Sequence, residues 1–490
     1  MSKAWDKLTP FFEKRKKLGQ IISILNYDIS TNTPEDGIAD ESDILNDFMT
    51  ESAKISTDPD YIAALEEAIK DESLTPMQKK VVREAYKDVE VFKKMPMEEY
   101  THLMELSLKS NEMWRKYKPL DDFASWLPYW NELIIAFRKY LTYFQKPGQS
   151  LYDAALDRYE PGETEEEIDG VFNPLKAYLL KKIPEVLEKQ KKVSYRPIKA
   201  YSIDKQRHLT FALLDLISHD MKRGCVRESM HPFSDFTGRY DSRVTTKYVE
   251  SDWRSNAFSV LHEGGHCLEF QNWSDEQFKN YADRMATSAI CETHSRFIEN
   301  IVSRSRAFVP LFKAACAEHL DPEFASWSDE EFYQIINQVK PGANRCESDE
   351  LTYSLHIIIR YEIERDLING KIEAKDVPSI WHDKYVEYLG VDEPTDKEGC
   401  MQDIHWTDAS IGYFPSYALG NLYGAQILNT MKKDLDFEGL IAANKVDVIK
   451  KWFADHDYCH DWMDPKDWIK AVTGEALNPQ YYLDYLENKF

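Results

Sequence analysis

Two histidines four residues apart, in the stretch SVLHEGGHCLEF at 259 to 270, constrain this chain more than any other feature. On an α-helix of about 3.6 residues per turn, His262 and His266 project from one face, so both imidazoles can reach a single ion. Glu263 then points into the space beside that ion. Gly264 and Gly265 each cost on the order of 1 kcal/mol relative to alanine inside a helix. Their presence implies close backbone approach there, by a packed neighbouring helix or by a ligand.

The rest of the chain supplies a mostly helical setting. Apolar residues recur at three and four in EEYTHLMELSLKSNEMWRKYK, EEEIDGVFNPLKAYLLKKI and LHIIIRYEIERDLI, and prolines and glycines fall mainly between such segments. One segment differs: SRVTTKYVE is β-branched and turn-bounded, which predicts a strand just before the histidine helix. A strand edge beside a cleft can hold an extended peptide by its main chain. No internal repeat or low-complexity linker divides the 490 residues.

Charge narrows the function. With 61 basic and 85 acidic residues the formal net charge is −24, which argues against a nucleic acid or an anionic membrane as partner. The first twenty residues mix charges and lack the apolar region of a secretory signal, and no apolar run approaches the roughly 18 residues of a membrane span. Seven cysteines are scattered singly, as expected of reduced thiols, so the expected compartment is the cytoplasm. HDYCH at 456 to 460 has no second cluster of matched spacing and reads as structural.

A catalytic zinc site takes three protein ligands and keeps a position for water. The third ligand must come from elsewhere, and ICETHSRFIEN offers Glu292, with His294 and Glu299 as rivals on the same predicted helix. Spacing does not choose among them. In such a site Glu263 takes the proton of the attacking water and passes it to the leaving amine, while a tyrosine hydroxyl or an imidazole steadies the oxyanion. Amide hydrolysis is the natural reaction.

An ordered series of motifs then resembles the carboxypeptidase Taq family of metallocarboxypeptidases nearly end to end. It runs HPFSDFTGRYDSRVTTKY at 231 to 248, HEGGHCLEF at 262 to 270, CETHSRFIEN at 291 to 300, NRCESDELTYSLHIIIRYEIE at 344 to 364 and GCMQDIHWTDASIGYFPSYALGN at 399 to 421. Weaker echoes are ILNYDISTNTP at 24 to 34 and LYDAALDRYEPGET at 151 to 164.

The resemblance implies that His262, His266 and Glu292 bind the metal and that Glu263 is the general base and acid. It assigns Arg345, in the stretch matching I-R-x-x-A-D, to the substrate's C-terminal carboxylate, a task that suits a planar guanidinium fork. Arg243, in the D-x-R-x-T match, is the second candidate and a shaper of the cleft strand. Gln402, Asp403 and His405, in the G-x-x-Q-D-x-H-W match, are expected to line that end of the groove. Tyr417, or else Tyr413, is expected to face the oxyanion.

The implied fold is a mostly α-helical body divided by a deep cleft, with a small sheet beside the zinc helix. Residues 1–490 form one catalytic domain, with room for two helical subdomains flanking the cleft. The implied protein is a homodimer that removes single residues from peptide C-termini with zinc, for which cobalt or manganese can substitute. An aminopeptidase or oligopeptidase would need an acidic anchor rather than Arg345, and an inactive metal-binding scaffold would not need Glu263.

The chain departs from the family pattern at Asn344, Ser348, Cys291, Thr293 and Gly264. No departure removes a ligand or the base. Those beside Arg345 bear on substrate preference, and Cys291 bears on the metal as a competing soft ligand.

Overall fold

The computed structural model describes residues 2–393 and 395–490, with the backbone alone at Asp88. It is built of helices around one small sheet. No described helix is long and apolar enough to cross a membrane.

Several helices begin where the sequence supplies caps. Thr164 and Glu167 close a capping box on helix Glu165–Gln190, as Ser328 and Glu331 do on Asp329–Ile336. Asp252 caps helix Trp253–Asn272, called here the histidine helix, by accepting from Arg254 N. That helix is buried nearly all round, with Trp253, Ala257, Val260, Leu261 and Leu268 in the main core. It is therefore the axis of the fold rather than an amphipathic surface helix.

Apolar side chains gather into two clusters. The main one holds most of the chain beyond Leu103. A smaller one joins Trp5, Leu8, Phe12, Tyr61, Leu65, Val81 and Val89 to Ala282. Polar ties seat these N-terminal helices on the main core: Ser23 Oγ donates to Asp235 Oδ2 at 2.7 Å, and Lys80 and Arg83 share the Asp464 carboxylate.

Strands β1 (Gly224–Glu228), β2 (Ser234–Gly238) and β3 (Asp241–Thr246) form a sheet of order β1-β3-β2, β1 parallel and β2 antiparallel to β3. The predicted strand is thus β3, but it is central and its hydrogen-bonding edges are both taken. Pairing with an extended peptide is left to β1 or β2. Asn256 fastens the sheet to the histidine helix, its Oδ1 accepting from Thr246 Oγ1 at 2.8 Å.

Candidate active site

Gly265 explains how the third ligand reaches the histidines. A Cβ at Gly265 would lie 2.8 Å from Ser295 Cα and 2.9 Å from His294 O, on helix Ser288–Arg296, the glutamate helix. The second packing partner is helix Phe414–Asp434, the tyrosine helix, where a Cβ at Gly420 would lie 2.9 Å from Glu292 Cβ. Small residues on both sides let three backbones converge at Glu292. Packed helices, rather than a ligand, account for Gly265, whereas a Cβ at Gly264 would meet side-chain ends, Ile217 Cδ1 at 2.7 Å and Leu214 Cδ2 at 3.0 Å.

The ligand atoms of His262, His266 and Glu292 lie within 4.8 Å of one another. His262 Nε2 is 3.7 Å from Glu292 Oε2. The other nitrogen of His262, Nδ1, is 3.1 Å from Glu299 Oε2. With Nδ1–H donating to that carboxylate, the Nε2 lone pair is turned to the site, as in carboxylate–histidine–metal arrangements. Burial lowers the His266 pKa to about 4, so its imidazole is neutral and able to ligate. Burial disfavours a charge on His262, but the Glu299 hydrogen bond and the Glu292 charge outweigh it and raise its pKa, so a cation would take the place of the Nε2 proton; two imidazoles and a carboxylate fit a divalent cation such as zinc.

Glu299 sits on a single π-helical turn, Phe297–Val302, that continues the glutamate helix. Such turns are uncommon and recur at functional sites. The turn's Asn300 carbonyl accepts from Lys489 Nζ at 2.9 Å and Tyr485 OH at 3.3 Å. Burial opposes ionisation of Glu299, but Arg296, the His262 hydrogen bond and Arg304 hold its carboxyl far below the ordinary range. Arg296 itself lies over the Tyr353 ring at 4.1 Å.

The rival His294 faces the other way. Its nitrogens lie 2.8 Å from Glu269 Oε2 and 2.7 Å from Asp457 Oδ1, and these partners outweigh burial to lift its pKa to about 10. It is a buried imidazolium, and Asp457 of the HDYCH tract is its counter-ion. The Cys291 thiol donates to Glu269 Oε1 at 3.7 Å, and burial pushes its pKa well up. The neutral thiol is turned onto Glu269, away from the role of a competing ligand.

Glu263 is buried beside the ligands, and burial raises its pKa, with the His262 charge and a Ser234 hydrogen bond opposing. Ser234 places β2 next to this carboxylate. Arg345 opens the short 3₁₀ turn Arg345–Glu347 and is 8% exposed. Its Nε and Nη2 donate to Asp403 Oδ1 at 3.2 and 2.9 Å, and Nη1 to Tyr353 OH at 3.3 Å. Among the described residues, one N–H on each terminal nitrogen is left for a carboxylate. Asn344 and Ser348 stiffen the turn: Asn344 Oδ1 accepts from Cys346 N at 3.0 Å, and Ser348 Oγ donates to Arg345 O at 2.6 Å.

Gln402 and Asp403 are both turned onto Arg345. Gln402 Oε1 accepts from Arg345 N at 3.0 Å. Asp403 is shared with Arg360, whose Nε donates to Oδ2 at 2.7 Å, and the two arginines overcome burial to keep it ionised far below the usual range. Their place is behind Arg345, supporting it. Arg243 is occupied by its own motif partner, Nη2 to Asp241 Oδ2 at 2.7 Å, and stacks over Tyr27 at 4.8 Å.

Tyr417 lies under Arg345, whose guanidinium carbon is 5.0 Å from its ring, and Tyr413 packs on Tyr417 at 5.1 Å. Burial raises both phenols, and the Glu292 charge adds to each, so both stay protonated donors near the ligands. His405 stacks on Tyr413 at 5.4 Å. Burial lowers it to about 4, and its Nδ1 has no hydrogen-bond partner among the described residues.

Four further residues belong to this constellation without standing out in the sequence reading: Arg296, Tyr353, Arg360 and Glu160. All four fall within quoted motifs, which were the available signal: Arg296 in 291 to 300, Tyr353 and Arg360 in 344 to 364, and Glu160 in the weaker echo at 151 to 164.

Comparison with known proteins agrees with the geometry. The family model described as Carboxypeptidase Taq (M32) metallopeptidase matches residues 7–490. Carboxypeptidase 1 of Bacillus subtilis is 35% identical over 98% of this chain and 97% of its own length. The solved structure of Pyrococcus furiosus carboxypeptidase superposes with a TM-score of 0.94 at 29% identity, covering 100% of this chain and 99% of that one. Trypanosoma cruzi metallocarboxypeptidase 1 gives a TM-score of 0.93 at 30% identity, again over 100% and 99%. This chain belongs to the carboxypeptidase Taq (M32) metallopeptidase family and is a metallocarboxypeptidase.

Proposed function

We propose that this metallocarboxypeptidase uses zinc, held by His262, His266 and Glu292, and that Glu263 moves the proton. The observation that carries the reading is the convergence of those three ligand atoms within 4.8 Å, with Glu299 fixing the His262 tautomer. The bound cation supplies Lewis acidity toward water and a carbonyl oxygen.

Glu263 Oε accepts a proton from the attacking water and returns it to the leaving amine. Burial raises its pKa, which makes the carboxylate a stronger base toward the water. Arg345 anchors the substrate's terminal carboxylate through its two uncommitted N–H groups. Tyr417 donates its hydroxyl proton toward the oxyanion, with Tyr413 and the neutral His405 packed behind it. Broad tolerance of side chains is expected when the main chain and the carboxylate supply most of the binding.

A homodimer and a cytoplasmic location belong to the same reading. The first rests on the family resemblance. The second is supported by seven free thiols.

The test compares wild type with Glu263→Gln on one peptide carrying a free or an amidated C-terminus, zinc being present, with products read by mass spectrometry. Single-residue loss from the free form alone, reduced roughly 10²–10⁴-fold by the substitution, is expected. Internal cuts, or indifference to amidation, would remove Arg345 from its role.

A further inference from the structure

Glu160 is completely buried between the two helices that carry Glu292 and Tyr417. It lies just past helix Leu151–Leu156, held by its own backbone N–H on Leu156 O at 2.8 Å. Its Oε1 accepts from Ala289 N at 2.9 Å and from Ser416 Oγ at 2.7 Å, and its Oε2 accepts from Thr287 Oγ1 at 2.7 Å. Thr287 and Ala289 are the cap and second residue of the glutamate helix. Ser416 is the third residue of the tyrosine helix. One carboxylate therefore accepts a free backbone N–H at the start of the glutamate helix and the Ser416 hydroxyl in the first turn of the tyrosine helix, tying the two together.

The two helices also meet one turn later. Glu292 stands three residues beyond Ala289 and touches the tyrosine helix at Gly420, while Tyr417 adjoins Ser416. A slide of one helix along the other would change the separation of the Tyr417 hydroxyl from the ligand set. The shared carboxylate opposes such a slide, because it is bonded to Ala289 N on one helix and to Ser416 Oγ on the other. Burial lifts the Glu160 pKa to about 7 and the three hydrogen bonds oppose that rise, so the group is kept at a cost in desolvation.

We infer that Glu160 is a positioning residue for the reaction, setting the Tyr417 and Tyr413 hydroxyls relative to Glu292 by bonding both helix ends. This rests on the reading in which Glu292 holds the metal and Tyr417 faces the reacting carbonyl. The role asks for acceptors in a fixed place. Glutamine meets most of it: the amide oxygen takes Ala289 N and Ser416 Oγ, and the amide nitrogen donates to Thr287 Oγ1 after that hydroxyl turns.

The test uses the zinc-loaded full chain with Glu160→Gln, Glu160→Ala and Ser416→Ala. The readouts are kcat and KM on a free-acid peptide and zinc affinity by chelator competition. The alanine variant is expected to lose roughly 100-fold in kcat with KM changed little, the scale of a misplaced catalytic group. The glutamine variant is expected to stay within about threefold of wild type, since its hydrogen bonds persist. Ser416→Ala, which cuts the tie from the other side, is expected to lose about tenfold in kcat even if Glu160→Ala does not fold. Wild-type kcat in either folded alanine variant overturns the inference, as does equal kcat damage from Gln and Ala. Controls with Glu292→Gln and Tyr417→Phe separate the layers. If Glu292→Gln keeps its zinc affinity and Tyr417→Phe keeps its kcat, the underlying site reading fails; if each loses its own property while Glu160→Ala keeps kcat, only the positioning role fails.

Discussion

Glu299 Oε2 lies 3.1 Å from His262 Nδ1, on the side of the ring away from Glu292. The relationship makes Glu299 the partner that orients a ligand, although it shares a helix with the third ligand itself. Glu299→Ala is expected to weaken zinc binding roughly 10- to 100-fold. It also leaves Arg296 and Arg304 without their shared anion, at a cost of about 3–5 kcal/mol if nothing replaces it. Chelator competition and urea unfolding measure the two effects. Unchanged zinc affinity in the folded variant would make the carboxylate purely structural.

Arg345 is expected to act on binding of the terminal carboxylate. Arg345→Met should lower kcat/KM on a free-acid peptide by roughly 10- to 150-fold, the worth of about 1.5–3 kcal/mol for a charge-assisted hydrogen bond. The amidated peptide, already a poor substrate, should be little affected. Asp403→Asn should partly mimic the change, because Asp403 holds Arg345 between itself and Tyr353. Equal losses on both peptides would mean that Arg345 supports the fold rather than the substrate.

Much of this site was legible because its chemistry is concentrated in short motifs on helices. H-E-x-x-H fixes a face by periodicity alone, and the double glycine announced a close approach. What spacing left open was the third ligand. Glu292, His294 and Glu299 share one helix, and only packing decides among them: His294 is drawn off by Glu269 and Asp457, and Glu299 by two arginines. The placement of Gln402 and Asp403 was illegible for a related reason. A motif gives residue types near a site, whereas orientation depends on partners from elsewhere in the chain: Arg345 and Arg360 for Asp403, and the Arg345 N–H and Ala343 carbonyl for Gln402. Similarly, β-branching predicted a strand in 242 to 250, of which the structure pairs only the part up to Thr246, and its central position depends on two neighbouring strands that β-branching did not announce.

Acidic pH should loosen the seam between the sheet and the histidine helix at His219. This ring accepts from Gln271 Nε2 at 3.2 Å, which requires the neutral form, and burial lowers its pKa from 6.5 to about 4. Asp220 favours the charge, and Lys450 and Arg223 oppose it. The unfolded chain takes up the proton first as pH falls, so the stability this group contributes declines from pH 6.5 and is gone below about 4. The full effect is on the order of 3 kcal/mol. Unfolding curves at stepped pH should therefore show wild type losing its stability difference from His219→Gln across that window. A constant difference between the two proteins would contradict the buried neutral ring.

The two glycines of the histidine helix should respond differently to alanine. Both substitutions gain helix propensity of about 1 kcal/mol. At Gly264 the new methyl meets Ile217 Cδ1 at 2.7 Å and Leu214 Cδ2 at 3.0 Å, the far ends of flexible side chains that can turn aside. Gly264→Ala is expected to stay within about 1 kcal/mol of wild type and to keep its zinc affinity. At Gly265 the methyl meets Ser295 Cα and His294 O, which are backbone and cannot yield without moving the glutamate helix. That movement carries Glu292 away from His266, since each stands next to the contact. Gly265→Ala should cost about 1–3 kcal/mol and weaken zinc binding together. Thermal unfolding with and without zinc, alongside chelator competition, separates the cases. Parallel behaviour of the two variants would mean that the helices are not held at Glu292 by backbone contact.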